Sequence, residues 1–334
     1  METEKYVLFI VIFGFVNVAF YILMVYSRTP LANPVLVERM RARHPIYRNT
    51  NPLSRQKVNI EGYRYIINEE AACSGSVSLL SMITSTNGNF WQRGVIRKTW
   101  ATTKEVDGEG VVTLFLLAKS DDRRTMESVR EESRLYGDII LFDFQESYLN
   151  LTLKTLLGFR WIEDFCGNAR FVLKTDDDVF LNYNALMRDL LMRPNKNLAL
   201  GQIFENSTAV RDDTNKWYTS RNDYANDKYP PFLVGTGYVL SRDVVGKILN
   251  VAPSLTFLNW EDVFVGICLQ KLGIPLTHDS RFYEFEHYRF ITIEEKCNLR
   301  VLFKIHHVNM QKQRYLWSAL TNLSRDSQHS ACAG

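Results

Sequence analysis

From Val77 onward, short apolar runs alternate with amphipathic stretches. Val77–Thr84 reads as a strand, Gln92–Thr99 as a helix, and Val111–Ala118 as a strand with a β-branched start. Thr125–Tyr136 is a charged helix closed by Gly137, Asp138–Phe144 a strand, Leu151–Phe165 a helix with an apolar stripe, and Arg170–Thr175 a further strand. Strands separated by helices predict an α/β domain with a largely parallel, Rossmann-like sheet. Ligands of such sheets gather at the carboxyl ends of the strands.

A different pattern occupies the amino terminus. Tyr6–Tyr26 is an uncharged run of 21 residues, long enough as a helix to span about 32 Å, one bilayer core. It exceeds a signal-peptide core, and no small-residue cleavage pattern follows it. The expected organisation is a short cytoplasmic tail (1–5), a transmembrane signal anchor (6–26), a stem (27–72) and one globular domain (73–334). Only Lys5 precedes the span, whereas Arg28, Arg39, Arg41 and Arg43 follow it. The positive-inside rule taken alone would put the body in the cytosol. Sequons at Asn150, Asn206 and Asn322 argue for a lumen instead. The five cysteines, Cys73, Cys166, Cys268, Cys297 and Cys332, fit an oxidising compartment.

A net charge of +3 without a basic run among aromatics gives no indication of nucleic acid. A hydrophobic fraction of 46% suffices for one large core. No feature of the chain bears on oligomeric state.

The chemistry concentrates where the strand Arg170–Thr175 ends, in Asp176-Asp177-Asp178. Adjacent carboxylates repel and call for a cation. If the extended geometry persists, Asp176 and Asp178 share one face, as a D-x-D metal site requires. All-oxygen donors suit Mg²⁺ or Mn²⁺ bridging to a nucleotide phosphate. Downstream, Trp217, Tyr218 and the Tyr229-Pro230-Pro231-Phe232 segment offer aromatic faces for sugar rings. Gly235-Thr236-Gly237-Tyr238 reads as a loop where backbone approaches a ligand. Trp260-Glu261-Asp262 places two carboxylates beside an apolar helix, to serve as a general base or to complete the helix dipole. His306-His307, in an apolar context, could complete a metal shell or be structural.

Arg93-Gly94-Val95-Ile96-Arg97-Lys98-Thr99-Trp100, Lys174–Phe180, Tyr229-Pro230-Pro231 with Gly235–Tyr238, and Glu261–Gly266 follow one another in an order that resembles the β-1,3-galactosyltransferase and β-1,3-N-acetylglucosaminyltransferase family. The resemblance covers residues from about 77 to 310. It implies a GT-A fold behind a Golgi type II anchor, and inverting transfer from a UDP-sugar to a glycan acceptor. It assigns Arg93, Arg97, Lys174, Asp176 and Asp177 to the nucleotide sugar, the two arginines sharing a helix face against the diphosphate. Asp178, Asp176 and His306 would hold Mn²⁺ or Mg²⁺, and Asp262 would be the base. Trp217, Tyr218, Gly235, Thr236, Gly237, Trp260 and Glu261 would face sugar or acceptor. It also pairs Cys268 with Cys297, with Cys73–Cys166 as the next pair. Galactose is favoured as the donor sugar over the N-acetylhexosamines.

Two readings compete. In a haloacid-dehalogenase-type phosphohydrolase, Asp176 would be nucleophile and Asp178 acid/base, but Phe180 stands where that family wants threonine or valine. A glycan-binding or chaperone-like member without catalysis would carry a broken metal or base motif, and here both are intact. A calcium loop counted from Asp176 lacks the glycine at position six and the glutamate at twelve.

Overall fold

The computed structural model describes residues 51–283 and 297–325. The expected anchor Tyr6–Tyr26 and most of the stem lie outside them. Among the described residues no helix is long and apolar enough to cross a membrane. They form one compact unit, from which Val210–Tyr218 separates.

The strands are β1 (Tyr65–Ile67), β2 (Leu79–Thr84), β3 (Glu105–Val106), β4 (Glu109–Lys119), β5 (Ile139–Gln145), β6 (Phe171–Asp176), β7 (Phe180–Leu181), β8 (Ala199–Phe204), β9 (Phe232–Ser241), β10 (Thr277–His278), β11 (Phe282–Tyr283) and β12 (Lys304–Ile305). The main helices are α1 (Phe90–Lys98), α2 (Arg123–Tyr136), α3 (Leu151–Phe165), α4 (Tyr183–Leu191), α5 (Arg242–Val251), α6 (Glu261–Lys271) and α7 (Met310–Arg325). The main sheet runs β1-β5-β4-β2-β6-β9-β8-β10. Its centre, β5-β4-β2-β6, is parallel as expected, whereas β9 is antiparallel to both β6 and β8.

Both faces of this sheet are covered, which explains why the central strands read as continuous apolar runs rather than alternating ones. Leu80 and Met82 of β2 join one core with α3, α5 and α6, while Leu79 and Ile83 join the other with α1, α4 and α7. Helix ends follow local chemistry. Asp122 caps α2 by accepting the Thr125 amide at 3.0 Å, and Gly137 closes it at φ 59°.

Three expectations are corrected. Gly235–Gly237 is not a loop: it lies within β9, where Lys174 pairs with Tyr238 and Thr175 with Gly237. The folded domain starts before Cys73, since β1 pairs with β5, Val58 is buried, and the Asn51 side chain bonds Asn259 at 2.9 Å. Cys268, on the core side of α6, is a buried free thiol, and Cys297 is disulfide-bonded to another partner. The Cys73–Cys166 bond is present with its Cα atoms 5.3 Å apart.

Candidate active site

The parallel register that sets Thr84 beside Asp176 brings the ends of β2 and β6 together. Asp176 is the last residue of β6; the chain then turns, so the triplet is not extended and its carboxylates diverge. Asp176 accepts bonds from the Thr84 hydroxyl and from Lys174 Nζ at 2.8 Å. Asp177 faces the β2–α1 loop, accepting from Ser85 at 2.5 Å and Asn89 at 2.8 Å, while Gln92 donates to its carbonyl at 2.7 Å. Burial raises the Asp177 pKa above the usual range against those hydrogen bonds, with the charges of Asp176 and Asp178 adding to the rise.

Asp178 turns the third way. β7 follows it directly, and the antiparallel pairing of β7 with β12 sets Ile305 opposite Phe180, so the chain after Ile305 runs back along Asp178. The Val308 amide donates to the Asp178 carbonyl at 2.8 Å, and His306 Nε2 lies 3.3 Å from its Oδ2. His306 stacks on His307, ring centroids 3.8 Å apart, and His307 takes φ 56°. Burial works against the charge of Asp178, but the His306 bond and the two histidines outweigh it and hold its pKa low.

Single donor atoms of Asp178, His306 and His307 lie within 4.8 Å of one another. One carboxylate and two imidazoles at that spacing fit a divalent transition ion better than Mg²⁺, which favours oxygen. Asp176 is not in this group. Its Oδ1 is engaged by Thr84 and Lys174.

On the other side of β9, α6 opens with Glu261 and Asp262. Glycine at 235 leaves room here: a Cβ on it would sit 3.1 Å from both the Asp262 Cβ and its Oδ2, a tight contact. In the space left, Asp262 accepts the Gly235 amide at 3.2 Å and the Val263 amide at 2.8 Å, without an ion-pair partner among the described residues. Burial raises its pKa, tempered by those amides and by Lys174. A half-buried carboxylate with a raised pKa suits proton abstraction near neutrality.

Glu261 is enclosed instead. It is 5% exposed, accepts the Tyr238 hydroxyl, and pairs with Lys174 at 3.2 Å. Burial is the largest cause of its pKa, raised to about 7, with Lys174 pulling down and Asp262 pushing up. Between its ordinary 4.5 and about 7 the folded protein holds a proton that the unfolded chain has released, so this group's contribution to stability falls as pH rises through that window. The melting temperature of Glu261→Gln, relative to wild type, is therefore expected to climb between pH 5 and pH 8. A difference independent of pH would show that Glu261 is already ionised at pH 5.

Several expected ligand contacts are taken up within the protein. Lys174 is buried between Asp176, Glu261 and the Gly235 carbonyl, which it reaches at 2.6 Å, so it braces the site. Arg93 and Arg97 share a helix face as expected, but both turn to Glu132, at 2.6 and 2.7 Å. Arg93 is fully buried and also donates to Ser85, at 3.0 Å, and to the carbonyls of Thr86 and Asn87. It shapes the loop that holds Asp177. Arg97 adds a bidentate pair with Asp138 and lies 4.0 Å over the Tyr136 ring. It lines a cavity of ≈ 290 Å³ with Thr113, Phe115 and Asp138, none of them in the acidic cluster.

The aromatic expectations divide. Trp260 is 8% exposed and donates its indole N–H to Thr219 at 2.5 Å, so most of its ring is packed within the protein. Within the separate segment, Trp217 is exposed, lies beneath Lys216, and Tyr218 bridges to Val210. Thr236 gives its carbonyl to Thr175 at 2.8 Å and its hydroxyl to Lys304 at 2.5 Å.

Two lysines were missed by the sequence reading. Lys304 is fully buried in β12, its pKa lowered to about 7 chiefly by burial, against the pull of Asp176 and Asp178. Lys154 is buried in α3, where it bonds the Ser85 carbonyl at 2.8 Å and Glu146 at 2.7 Å. Their signal was present: each interrupts an apolar run, Leu153-Lys154-Thr155-Leu156 and Phe303-Lys304-Ile305. A lysine is rarely buried unless paired.

A family profile described as Galactosyltransferase matches residues 91–280, a span that contains the acidic triplet, β9 and the Glu261-Asp262 pair. The chain belongs to the galactosyltransferase family. Human β-1,3-galactosyltransferase 1 is 36% identical over 269 residues, 79% of this chain and 81% of its own. Mouse β-1,3-galactosyltransferase 5 is 38% identical over 248 residues, 73% of this chain and 79% of that protein. A solved galactosyltransferase complexed with donor and acceptor sugar analogues is 9% identical, with a TM-score of 0.37 over 72% of this chain and 95% of that one, too remote to add weight. Family membership makes the protein a hexosyltransferase, with a nucleotide-sugar donor and a glycan acceptor. It also removes the phosphohydrolase reading of Asp176.

Proposed function

We propose that this galactosyltransferase-family member is an inverting β-1,3-galactosyltransferase of the GT-A type. It moves galactose from UDP-galactose to a hydroxyl of a glycan on protein or lipid. The observation that carries the mechanism is the placement of Asp262. Of the two acids that open α6, it alone stays out of the Lys174 ion pair and is only half-buried. Asp262 takes the proton of the acceptor hydroxyl as that oxygen bonds to the anomeric carbon and the bond to UDP breaks. Attack from the face opposite UDP converts an α-linked donor into a β-linked product, and the electron pair of the broken bond leaves with UDP. Asp178 and His306, with His307 beside them, would hold Mn²⁺, whose contribution is to stabilise charge on the leaving diphosphate.

The test is transfer by the full-length chain, with UDP-galactose, UDP-N-acetylglucosamine and UDP-N-acetylgalactosamine offered against a panel of simple glycan acceptors. A β-1,3-linked galactose product, lost on addition of chelator, is the expected result. Transfer of an N-acetylhexosamine with galactose refused would move the donor assignment, and no transfer from any donor would sink the enzymatic reading.

The topology follows from the same reading: a single-pass type II protein of the Golgi membrane, anchored by 6–26, with its catalytic domain luminal. Of the three sequons, Asn206 is exposed and Asn322 lies exposed on α7, whereas the Asn150 amide is committed to the Gln145 carbonyl at 3.1 Å. Asn206, outside any helix, is therefore the favoured glycan site. Endoglycosidase digestion of the protein from secretory cells is expected to lower its apparent mass, and Asn206→Gln to remove most of that shift. Unchanged mobility of the wild type would count against a luminal domain.

A further inference from the structure

Tyr148 begins the short 3₁₀ turn Tyr148–Asn150 between β5 and α3, and it is 46% exposed. Its ring centroid lies 6.3 Å from that of Trp260, the two planes tilted by 53°. Trp260 stands immediately before α6, two residues from Asp262. An exposed aromatic ring is therefore seated against the turn that carries the proposed base.

That seat is built from buried polar contacts. The Asn51 side chain, 8% exposed, reaches the Leu149 carbonyl at 2.7 Å, Asn150 Oδ1 at 3.1 Å and Asn259 Oδ1 at 2.9 Å. It thus joins the Tyr148 turn to the residue before Trp260. Thr152, at the start of α3, donates to the Leu258 carbonyl at 2.6 Å and makes the same connection a second time. Within the turn, the Ser147 hydroxyl accepts the Leu149 amide at 3.2 Å. Trp260 is fixed in turn by Thr219, whose hydroxyl is shared with Tyr229 at 2.7 Å. A half-exposed ring on a backbone held this firmly loses little freedom when a ligand covers it.

We propose that Tyr148 is the platform on which the acceptor sugar stacks, and so a determinant of acceptor binding. This inference rests on the assignment of Asp262 as base. The C–H groups on one face of a pyranose are apolar and weakly positive, and the face of a phenol ring is negative, so the two attract as they shed water. Stacking holds a sugar by its plane and leaves the hydroxyls at its rim free, one of them to meet Asp262. Asp178 and the histidines gather at β7 and the end of β12, whereas Tyr148 is seated against the start of α6. The occupant of this face is accordingly the acceptor and not the nucleotide. Tyr148 contributes to acceptor affinity, and the proton transfer stays with Asp262.

The test is steady-state transfer by the full-length chain from UDP-galactose to the methyl β-glycosides of galactose, N-acetylglucosamine and N-acetylgalactosamine. Wild type is compared with Tyr148→Phe, Tyr148→Leu and Tyr148→Ala. Alanine is expected to raise the acceptor KM about 10-fold, while kcat and the KM for UDP-galactose stay within about threefold of wild type. Leucine, apolar but without a ring, is expected to behave like alanine, and phenylalanine like wild type. A wild-type acceptor KM in Tyr148→Leu would reduce the ring to an apolar cover over Trp260 and overturn the inference. A fall in kcat at unchanged acceptor KM would overturn it too, since the turn would then only support α6. Should alanine fail to fold, the leucine and phenylalanine variants carry the same comparison. Wild type that transfers to none of the three glycosides counts against the proposed function and removes this inference with it, whereas normal transfer by Tyr148→Ala overturns this inference alone.

Discussion

Asp262→Asn is expected to lower turnover by about 10²- to 10⁴-fold while leaving UDP affinity near that of wild type. Asparagine preserves the shape that fits against Gly235 and keeps an oxygen for the Val263 amide, 2.8 Å away. What it removes is the basicity. One local cost is foreseeable: if its NH₂ group faces the Gly235 amide, two donors meet where a carboxylate now accepts at 3.2 Å. That cost falls on stability and is read separately as melting temperature. The loss of turnover belongs to the proton transfer, and it persists when rates are normalised to folded protein. If Asp262 merely completed the dipole of α6, the variant would lose about 1 kcal/mol or less of stability and retain nearly normal turnover. Unchanged transfer by a folded Asp262→Asn protein would move the base to Glu261, the other acid at the start of α6. Geometry speaks against that neighbour, since Glu261 is enclosed by Tyr238 and Lys174.

The alternation of runs was enough to read the parallel half of the sheet. Leu151–Phe165 coincides with its helix, and the strands from Val77 to Thr175 fall within a few residues of β2, β4, β5 and β6. Those elements are specified locally, by apolar runs of strand length and by an apolar helical stripe. The antiparallel half was not legible in the same way. Gly235 and Gly237 sit mid-strand because Asp262 and Lys304 pack against the backbone there, and no local pattern announces a side chain arriving from a distant segment.

The candidate site shows the same division. Residue type and spacing were enough to single out the acids Asp176–Asp178, the pair Glu261-Asp262 and His306 as candidates. What each one touches was not. The triplet looked like one extended face, but a turn after Asp176 sends its carboxylates to three destinations: the Lys174 pair, the β2–α1 loop and the histidines that follow β12. Arg93 and Arg97 were correctly placed on one face of α1. The acid they meet, Glu132, comes from α2, and nothing in the spacing of α1 encodes it. Buried charges require partners, so an arginine pair in an apolar helix predicts an ion-pair network as readily as an anion site.

The three destinations of the triplet separate the consequences of removing each acid, and Asp178→Ala is expected to abolish most of the effect of Mn²⁺ on UDP binding. Perturbing groups behind metal ligands commonly costs 10- to 100-fold in affinity, and deleting the one carboxylate of the cluster should cost at least about 100-fold. The fold around it has reason to survive. It is the Asp178 carbonyl, not its side chain, that accepts the Val308 amide at 2.8 Å, and β7 remains paired with β12. His306 loses its 3.3 Å partner but stays stacked on His307. Asp176→Ala provides the contrast, because it strips a partner from buried Lys174 and is expected to appear first as a lower melting temperature. Calorimetry of UDP binding by the full-length chain, with Mn²⁺ and with excess chelator, decides the matter. Equal UDP affinity of wild type under the two conditions would refute a metal at Asp178 and His306, and a full Mn²⁺ effect in folded Asp178→Ala would place the ion elsewhere.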